Sequence, residues 1–142
     1  MTDRVLIATS RYYEDITLEL EAGAAEVLEA AGASVETIVV PGAFELPGVV
    51  AMSADCGRFD GALALGCVIR GETTHYDYVC GESARGLMDL IVHRRQAIGY
   101  GILTCENKDQ AWARADRKQK NKGADAARAC LEMIKLRKQF VR

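Results

Sequence analysis

One short segment, Arg70-Gly-Glu-Thr-Thr-His75, places a glycine, two hydroxyls and a histidine directly after an apolar run. Gly71 permits a sharp turn, and Thr73 and Thr74 would then stand at the start of a helix. Hydroxyls and free backbone N–H groups at a helix start form a good seat for a phosphate or an oxyanion. His75 beside that seat could move protons near neutral pH. Alternatively, a threonine caps the helix and His75 is an exposed first-turn residue; residue types alone favour neither interpretation.

Three further segments could contribute to the same site, because each also follows an apolar run. Tyr12 and Phe44 could stack on a planar heterocycle, the alternative being that either ring packs in the core. Glu45 could accept hydrogen bonds from the N–H or O–H groups of a ligand, the alternative being a helix cap. The three segments are Ser10–Tyr13, Pro41-Gly-Ala-Phe-Glu-Leu-Pro47 and Thr104–Lys108.

Two other candidates depend more on their position than on their residue type. Arg114 shares a predicted helix with Trp112 and could grip an anion with its forked guanidinium, although an isolated arginine is more often a surface charge. His93 lies in the middle of a predicted helix beside Arg94 and Arg95. Packing at a surface or an interface therefore explains His93 better than catalysis does.

An alternation of strand and helix patterns predicts where these segments lie. Apolar runs predict strands over 4–9, 34–40, 61–69 and 99–105. Helical spacing of apolar residues predicts helices over 16–31, 47–54, 80–91, 108–118 and 123–141. Such alternation through short connections is typical of a doubly wound α/β fold, here with a parallel sheet of four strands. Ligands bind these sheets beyond the carboxyl ends of the strands, where all the candidate loops lie.

The composition predicts an ordinary globular protein of one domain over residues 1–142. Apolar residues make up 49% of the chain and charged residues 27%. No apolar stretch approaches the length of a membrane span, and no export signal is evident, so we expect a cytoplasmic protein without membrane contact. The five cysteines are too widely spaced for a zinc or thioredoxin-like motif, which favours reduced thiols and no metal.

Charge is unevenly distributed along the chain, although the formal net charge is only −2. Residues 1–60 carry 11 acidic and 3 basic side chains, whereas residues 61–142 carry 9 acidic and 15 basic ones. The basic end segment has only Phe140 as an aromatic, which argues against nucleic-acid binding. The asymmetry favours a small anionic ligand or attraction between unlike faces of identical subunits. The last predicted helix is apolar all round, which also favours contact with another subunit.

Several motifs occur together in one order and spacing. They are Pro41-Gly-Ala-Phe-Glu-Leu-Pro47, Gly66-Cys-Val-Ile-Arg-Gly-Glu-Thr-Thr-His-Tyr-Asp-Tyr78, Gly101-Ile-Leu-Thr-Cys-Glu-Asn107, Gln110-Ala-Trp-Ala-Arg-Ala115 and Asn121-Lys-Gly123. With this set the chain resembles the lumazine synthases, along almost its whole length. The resemblance implies a flavodoxin-like three-layer sandwich. It also implies a transferase that condenses 5-amino-6-(D-ribitylamino)uracil with 3,4-dihydroxy-2-butanone 4-phosphate to 6,7-dimethyl-8-ribityllumazine, the penultimate step of riboflavin synthesis.

Matched position by position, the resemblance implies roles for individual residues. His75 matches the proton donor, and Tyr12 matches the ring that stacks on the pyrimidine, where Phe or Trp is usual. Tyr100 matches a ring, commonly Phe, that closes the site from the neighbouring subunit. The segments that match those holding the ribityl chain and the uracil edge are Ala43, Phe44, Glu45, Cys67, Val68 and Ile69. The positions that match the phosphate site are Glu72, through its backbone N–H, Thr73, Arg114 and Lys122.

The resemblance further implies that the reaction needs neither a metal nor an organic cofactor. It implies a homo-oligomer built from pentamers with sites between subunits, and riboflavin synthase as a candidate partner. The chain begins almost directly at its first strand and lacks glycines in the turn at 116–120, so a bare pentamer or a pair of pentamers is favoured over a shell. The alternative function is a non-catalytic flavin- or phosphate-ligand-binding protein on the same fold, which leaves His75 beside the phosphate turn unexplained.

Overall fold

The computed structural model describes residues 2–140 and contains one parallel sheet. Its strands are β1 (Arg4–Ser10), β2 (Ser34–Val40), β3 (Gly61–Ile69) and β4 (Ile98–Cys105), in the order β2-β1-β3-β4. The helices are α1 (Glu14–Ala30), α2 (Leu46–Asp55), α3 (His75–Arg94), α4 (Lys108–Ala115) and α5 (Lys122–Phe140), and a 3₁₀ turn over Ala43–Glu45 precedes α2.

The helices cover both faces of the sheet, which produces three layers. On one face, α1, α4 and α5 pack against side chains such as Ile7, Leu63 and Leu103. On the other face, α2 and α3 pack against Leu6, Ala64 and neighbouring residues. The central strands β1 and β3 are buried on both faces because helices cover both, as their near-continuous apolar sequences predict. The predicted α/β sandwich with a four-stranded parallel sheet is confirmed.

Close packing of α5 on the sheet explains a glycine near the amino end of β4. A Cβ at Gly99 would overlap the backbone carbonyl of Ala126 on α5, and also the side chain of Leu63. The clash is with backbone, which cannot move aside as a flexible side chain can. Gly99 therefore sets how closely α5 approaches the edge of the sheet.

The predicted element bounds agree with the structure to within two residues, except at both ends of α3 and at the end of α4; α3 ends at Arg94 and not at position 91. Helix α3 begins at His75 and not at position 80. The prediction missed the first turn because that turn is polar and carries no apolar periodicity. Helix α4 ends at Ala115 and not at position 118, because Asp116 is extended and its carboxylate accepts bonds from Lys118 N and Gln119 Nε2. The predicted end of the last helix, position 141, lies outside the described residues. Within residues 2–140, no helix has the length and apolarity needed to cross a membrane.

Candidate active site

The loops at the carboxyl ends of β1, β2 and β3 surround one cavity of about 780 Å³. An apolar cavity of that size is in the range of small-molecule sites. It opens where ligands bind in parallel α/β sheets, beyond the carboxyl ends of the strands. The predicted site residues that line it are Tyr12, Ala43, Phe44, Glu45, Cys67, Val68, Ile69, Thr73 and His75.

The loop after β1 presents the ring of Tyr12 to the cavity. That side chain is 75% exposed, so the ring does not pack in the core. Tyr13 meets it edge-on, with ring centroids 5.0 Å apart and planes at 79°. The carbonyl of Tyr13 accepts hydrogen bonds from the backbone N–H and the hydroxyl of Thr17, both at 3.0 Å, which fixes the loop to the start of α1.

The loop after β2 supplies an aromatic ring and a carboxylate. Phe44 lies in the 3₁₀ turn and is 55% exposed, so it is available to a ligand. Glu45 directly precedes α2 but makes no side-chain capping bond, and Pro47 occupies the first turn of that helix. The cavity, and not the helix terminus, is therefore the environment of the Glu45 carboxylate.

The end of β3 forms the floor of the cavity. Pairing between β1 and β3 stops at Thr9 and Leu65, whereas β3 continues to Ile69 along β4. Residues 66–69 therefore have no strand partner on the β1 side, and their backbone groups there face the space between the loops. Peptide N–H and C=O groups can bind the complementary edge of a planar heterocycle.

Cys67, in that floor, is a neutral thiol. It is only 6% exposed, and burial raises the pKa of its thiol to about 12. The thiolate is the nucleophilic form of cysteine, so Cys67 contributes shape to the cavity and not nucleophilic chemistry.

The turn after β3 leads directly into α3, with His75 as its first residue. The backbone N–H of His75 donates to Thr73 Oγ1 at 3.3 Å, and the N–H groups of Asp77 and Tyr78 point back to the carbonyl of Thr74. Thr74 occupies the capping position without a side-chain bond. Thr73 thus partly caps the helix, while its hydroxyl hydrogen is available to an anion. The exposed His75 side chain lines the cavity beside it.

Arg70 connects the turn after β3 to the loop after β4. Its Nε donates to Glu106 at 2.7 Å and its Nη2 to Asp77 at 3.3 Å, and its guanidinium lies 4.3 Å from the ring centroid of Tyr76. These carboxylates raise the pKa of Arg70, foremost through the hydrogen bond to Glu106. Because two carboxylates already neutralise it, Arg70 holds the loops together and is not a free anion-binding group.

Four predicted site residues lie outside the cavity of a single chain. Tyr100 is 42% exposed on the edge strand β4, and Glu72 is exposed between Gly71 and Thr73, which line the cavity although Glu72 does not. Arg114, on α4, donates from Nη1 to the carbonyl of Gln110 at 3.0 Å. Lys122 lies 3.5 Å from the carboxylate of Asp125. Within residues 2–140, no lysine or arginine lines the cavity.

The sequence of the chain matches a known family. Residues 2–138 match the sequence model described as 6,7-dimethyl-8-ribityllumazine synthase. The chain belongs to this family. It is 53% identical over 137 residues to the 6,7-dimethyl-8-ribityllumazine synthase of Bartonella tribocorum, covering 96% of this chain and 91% of that protein. The enzyme of the same name from Afipia carboxidovorans is 46% identical over 144 residues, covering 98% of this chain and 88% of the relative.

Five residues line the cavity although sequence reasoning gave none of them a role of its own. They are Tyr13, Pro41, Gly42, Tyr76 and Val79. Tyr13 and Tyr76 each directly follow a selected residue, so the sequence could have predicted that they lie beside the site. Val79 lies one turn into α3, and its apolar side chain predicts a position in the core. Within residues 2–140, no group of three His, Cys, Asp or Glu side chains is arranged to hold a metal ion.

Proposed function

We propose that this chain is a transferase that condenses 5-amino-6-(D-ribitylamino)uracil with 3,4-dihydroxy-2-butanone 4-phosphate to 6,7-dimethyl-8-ribityllumazine. The observation that carries the proposal is the opening of Thr73 and His75, at the start of α3, onto the same cavity as the exposed rings of Tyr12 and Phe44. A planar substrate and an anionic one can thus be held side by side. Family membership supports the same reaction.

The pyrimidine would lie between the ring of Tyr12 and the floor at Cys67–Ile69. Ring stacking favours a planar heterocycle. The unpaired backbone groups of residues 66–69 can meet the N–H and C=O groups of a uracil edge. The ribityl chain would extend past Ala43 and Phe44, where the Glu45 carboxylate can accept hydrogen bonds from its hydroxyls.

The phosphate of the second substrate would bind at the turn before α3. Thr73 can donate its hydroxyl from the rim of the cavity, and the backbone N–H of Glu72, in the same turn, would donate a second bond. The cations Arg114 and Lys122 would come from a second copy of the chain, because neither lines the cavity of its own chain. Tyr100 would close the site from the same neighbour.

We therefore propose a homopentamer with sites between subunits. The incomplete phosphate site, the exposed Tyr100 on an edge strand and the unequal charges of the two chain halves support it. We also propose a cytoplasmic enzyme that passes its product to riboflavin synthase. All five cysteines are free thiols, which suits a reducing compartment.

The reaction would proceed through proton transfers at His75. The pyrimidine amine attacks the ketone carbon, and the carbonyl oxygen leaves as water to give an imine. Loss of the C3 proton and cleavage of the C4–O bond then release phosphate, and the enol left at C3 tautomerises to a carbonyl as C4 takes up a proton. The ribitylamino nitrogen attacks this new carbonyl, and a second water leaves. An imidazole can supply and accept these protons near neutral pH. Holding two reactants in contact supplies much of the remaining acceleration.

The test is the absorbance change when the protein is mixed with both substrates, compared with an Arg114→Ala/His75→Ala double variant. We expect lumazine to form faster than in the spontaneous reaction, and the variant to be slower at equal folded concentration. Tight binding of the pyrimidine with no acceleration would instead show that the fold serves binding only.

A further inference from the structure

We propose that Arg11 is a positioning residue, which holds the Tyr12 ring in its substrate-stacking place by gripping Glu21 of α1. The inference rests on the proposed function, because it concerns how the same cavity binds its pyrimidine. Arg11 directly follows β1 and directly precedes Tyr12, so any shift of Arg11 moves the backbone that carries the ring.

The grip is a fork on both carboxylate oxygens. Arg11 donates from Nε to Glu21 Oε2 at 2.9 Å and from Nη2 to Glu21 Oε1 at 2.7 Å. Two parallel bonds fix both the distance and the plane of the guanidinium, which a single contact with lysine cannot do. Glu21 in turn raises the pKa of Arg11, mainly through this hydrogen bond.

Glu21 is itself fixed to the end of β1. The hydroxyl of Thr9, which is fully buried, donates to Glu21 Oε2 at 2.9 Å. The Glu21 side chain is only 14% exposed, against 36% for that of Arg11. A partly desolvated carboxylate with three donors is a firm anchor, unlike the mobile ion pairs of an open surface.

Tyr12 needs such an anchor because little packing holds its ring. The side chain is 75% exposed, and its contact with the Tyr13 ring is T-shaped. The ring position therefore depends on the backbone of residues 10–13, which is fixed by Arg11 on one side of Tyr12 and by the Tyr13 carbonyl on the other. If the loop is already ordered before the substrate binds, the binding free energy is not reduced by the cost of ordering the loop.

The primary test is Arg11→Met in the full-length protein, with KM measured for each substrate. We expect the KM for the pyrimidine to rise about tenfold, because small displacements of a positioning group weaken binding strongly. The KM for the butanone phosphate and kcat should each stay within about twofold, since uniform binding of only one substrate is lost. An unchanged pyrimidine KM overturns the proposal.

Two further backgrounds show whether Arg11 acts through the named partners. Glu21→Gln combined with Arg11→Met should raise the pyrimidine KM no further than Arg11→Met alone, because both remove the same contact. In a Tyr12→Leu background, Arg11→Met should have no additional effect. An equal effect of Arg11→Met with and without the Tyr12 ring would overturn the proposal.

Arg4→Met is the matched control. Arg4, at the start of the same strand, forks onto Asp60 with Nε and Nη2 each 3.3 Å from a carboxylate oxygen, far from the cavity. We expect it to leave both KM values unchanged while thermal unfolding reports any general loosening. An equal rise in pyrimidine KM for Arg4→Met would overturn the inference. A wild-type protein that neither binds nor converts the pyrimidine would refute the proposed function itself, and this inference with it.

Discussion

The two ends of the sheet use their charged and aromatic side chains differently. At the amino end, charged groups pair across neighbouring elements, and members of these pairs line two cavities of about 150 and 580 Å³. At the carboxyl end, a cavity of about 780 Å³ stays open, and neither His75 nor Glu45 belongs to an ion pair within the described chain. The amino-end pairs are Arg4–Asp60, Arg94–Asp55, Arg58–Glu36 and Lys138–Asp3.

This difference shows how one set of strands can separate stability from chemistry. At the amino end, the charged donors and acceptors of these ion pairs bind one another and are not available to a ligand. At the carboxyl end, ion pairs such as Arg70–Glu106 lie around the cavity and brace its loops, while the groups inside stay available. Substitutions at the amino end should therefore change stability, and those at the carboxyl end should change activity.

The largest expected effect is a loss of stability on Gly99→Ala, near the amino end of β4. The added Cβ would overlap the carbonyl of Ala126. Forcing extra volume into a packed interior should cost about 3 kcal/mol in the free energy of unfolding, measured in urea. Gly71→Ala, at the carboxyl end, is the control: nothing lies within 4 Å of its added Cβ, so stability should change by less than about 0.5 kcal/mol. Equal stability for the two variants would contradict the comparison.

Next in size is the effect of His75→Ala on turnover. Removing a positioned proton donor should lower kcat about a hundredfold or less, without abolishing it, because substrate positioning remains. His93→Ala provides a control within the same helix, since His93 is exposed in the last turn of α3, at the other end. Steady-state rates of the two variants should separate clearly. Complete loss of turnover with substrate binding intact would contradict this expectation, because His75 would then contribute more to the reaction than the role of proton donor assigned to it here.

A smaller effect is expected when Tyr12 loses its ring. Tyr12→Leu should raise the KM for the pyrimidine about tenfold, because stacking contributes beyond burial of area. Tyr12→Phe keeps the ring and should stay within about twofold of the wild type. If both variants bind the pyrimidine equally weakly, the phenol hydroxyl and not the ring face makes the contact.

The effect that is smallest at neutral pH concerns two buried thiols, at which the two ends of the sheet should behave alike. Burial raises the pKa of Cys67, at the carboxyl end, and of Cys130, at the amino end, each to about 12. A raised pKa means that the folded state holds the proton more tightly. The stability that each thiol contributes is therefore complete below about pH 9 and is lost as the pH rises toward 12.

Urea midpoints between pH 8 and pH 11 would test this expectation. The midpoint should fall with pH, and Cys130→Ala should reduce the slope. The exposed Cys56 provides the matched control, since Cys56→Ala should leave the slope as it is. A slope that Cys56→Ala reduces more than Cys130→Ala does would contradict the burial argument.

The fold could be predicted from the sequence because local pattern and tertiary environment agree. The apolar run Gly61–Ile69 reads as a fully covered parallel strand, and the structure gives β3 the same bounds. The start of α3 could not be predicted by the same rule. Its first turn is exposed and polar, so hydrogen bonds at Thr73 and Thr74 define it, and these leave no apolar periodicity.

The candidate site was predictable in its residues more than in its geometry. The motif at 41–47 and the turn at 70–75 do line one cavity. The position of Arg114 relative to that cavity depends on which face of the sheet α4 covers, and on whether another chain is present. Likewise, the Arg11–Glu21 fork joins residues that a helix start separates, and neither residue type reveals the partner.

The extension of β3 past its β1 partner has a consequence for how this site could change over generations. The edge of the heterocycle would be read at residues 66–69 by main-chain atoms, which every amino acid carries. Side chains there can vary in volume, as the neutral thiol of Cys67 illustrates, while the pattern of donors and acceptors stays the same. Substrate recognition would then depend on the strand register and not on side-chain identity. It would persist through substitutions at residues 66–69, although a comparison of sequences would show those positions as changed.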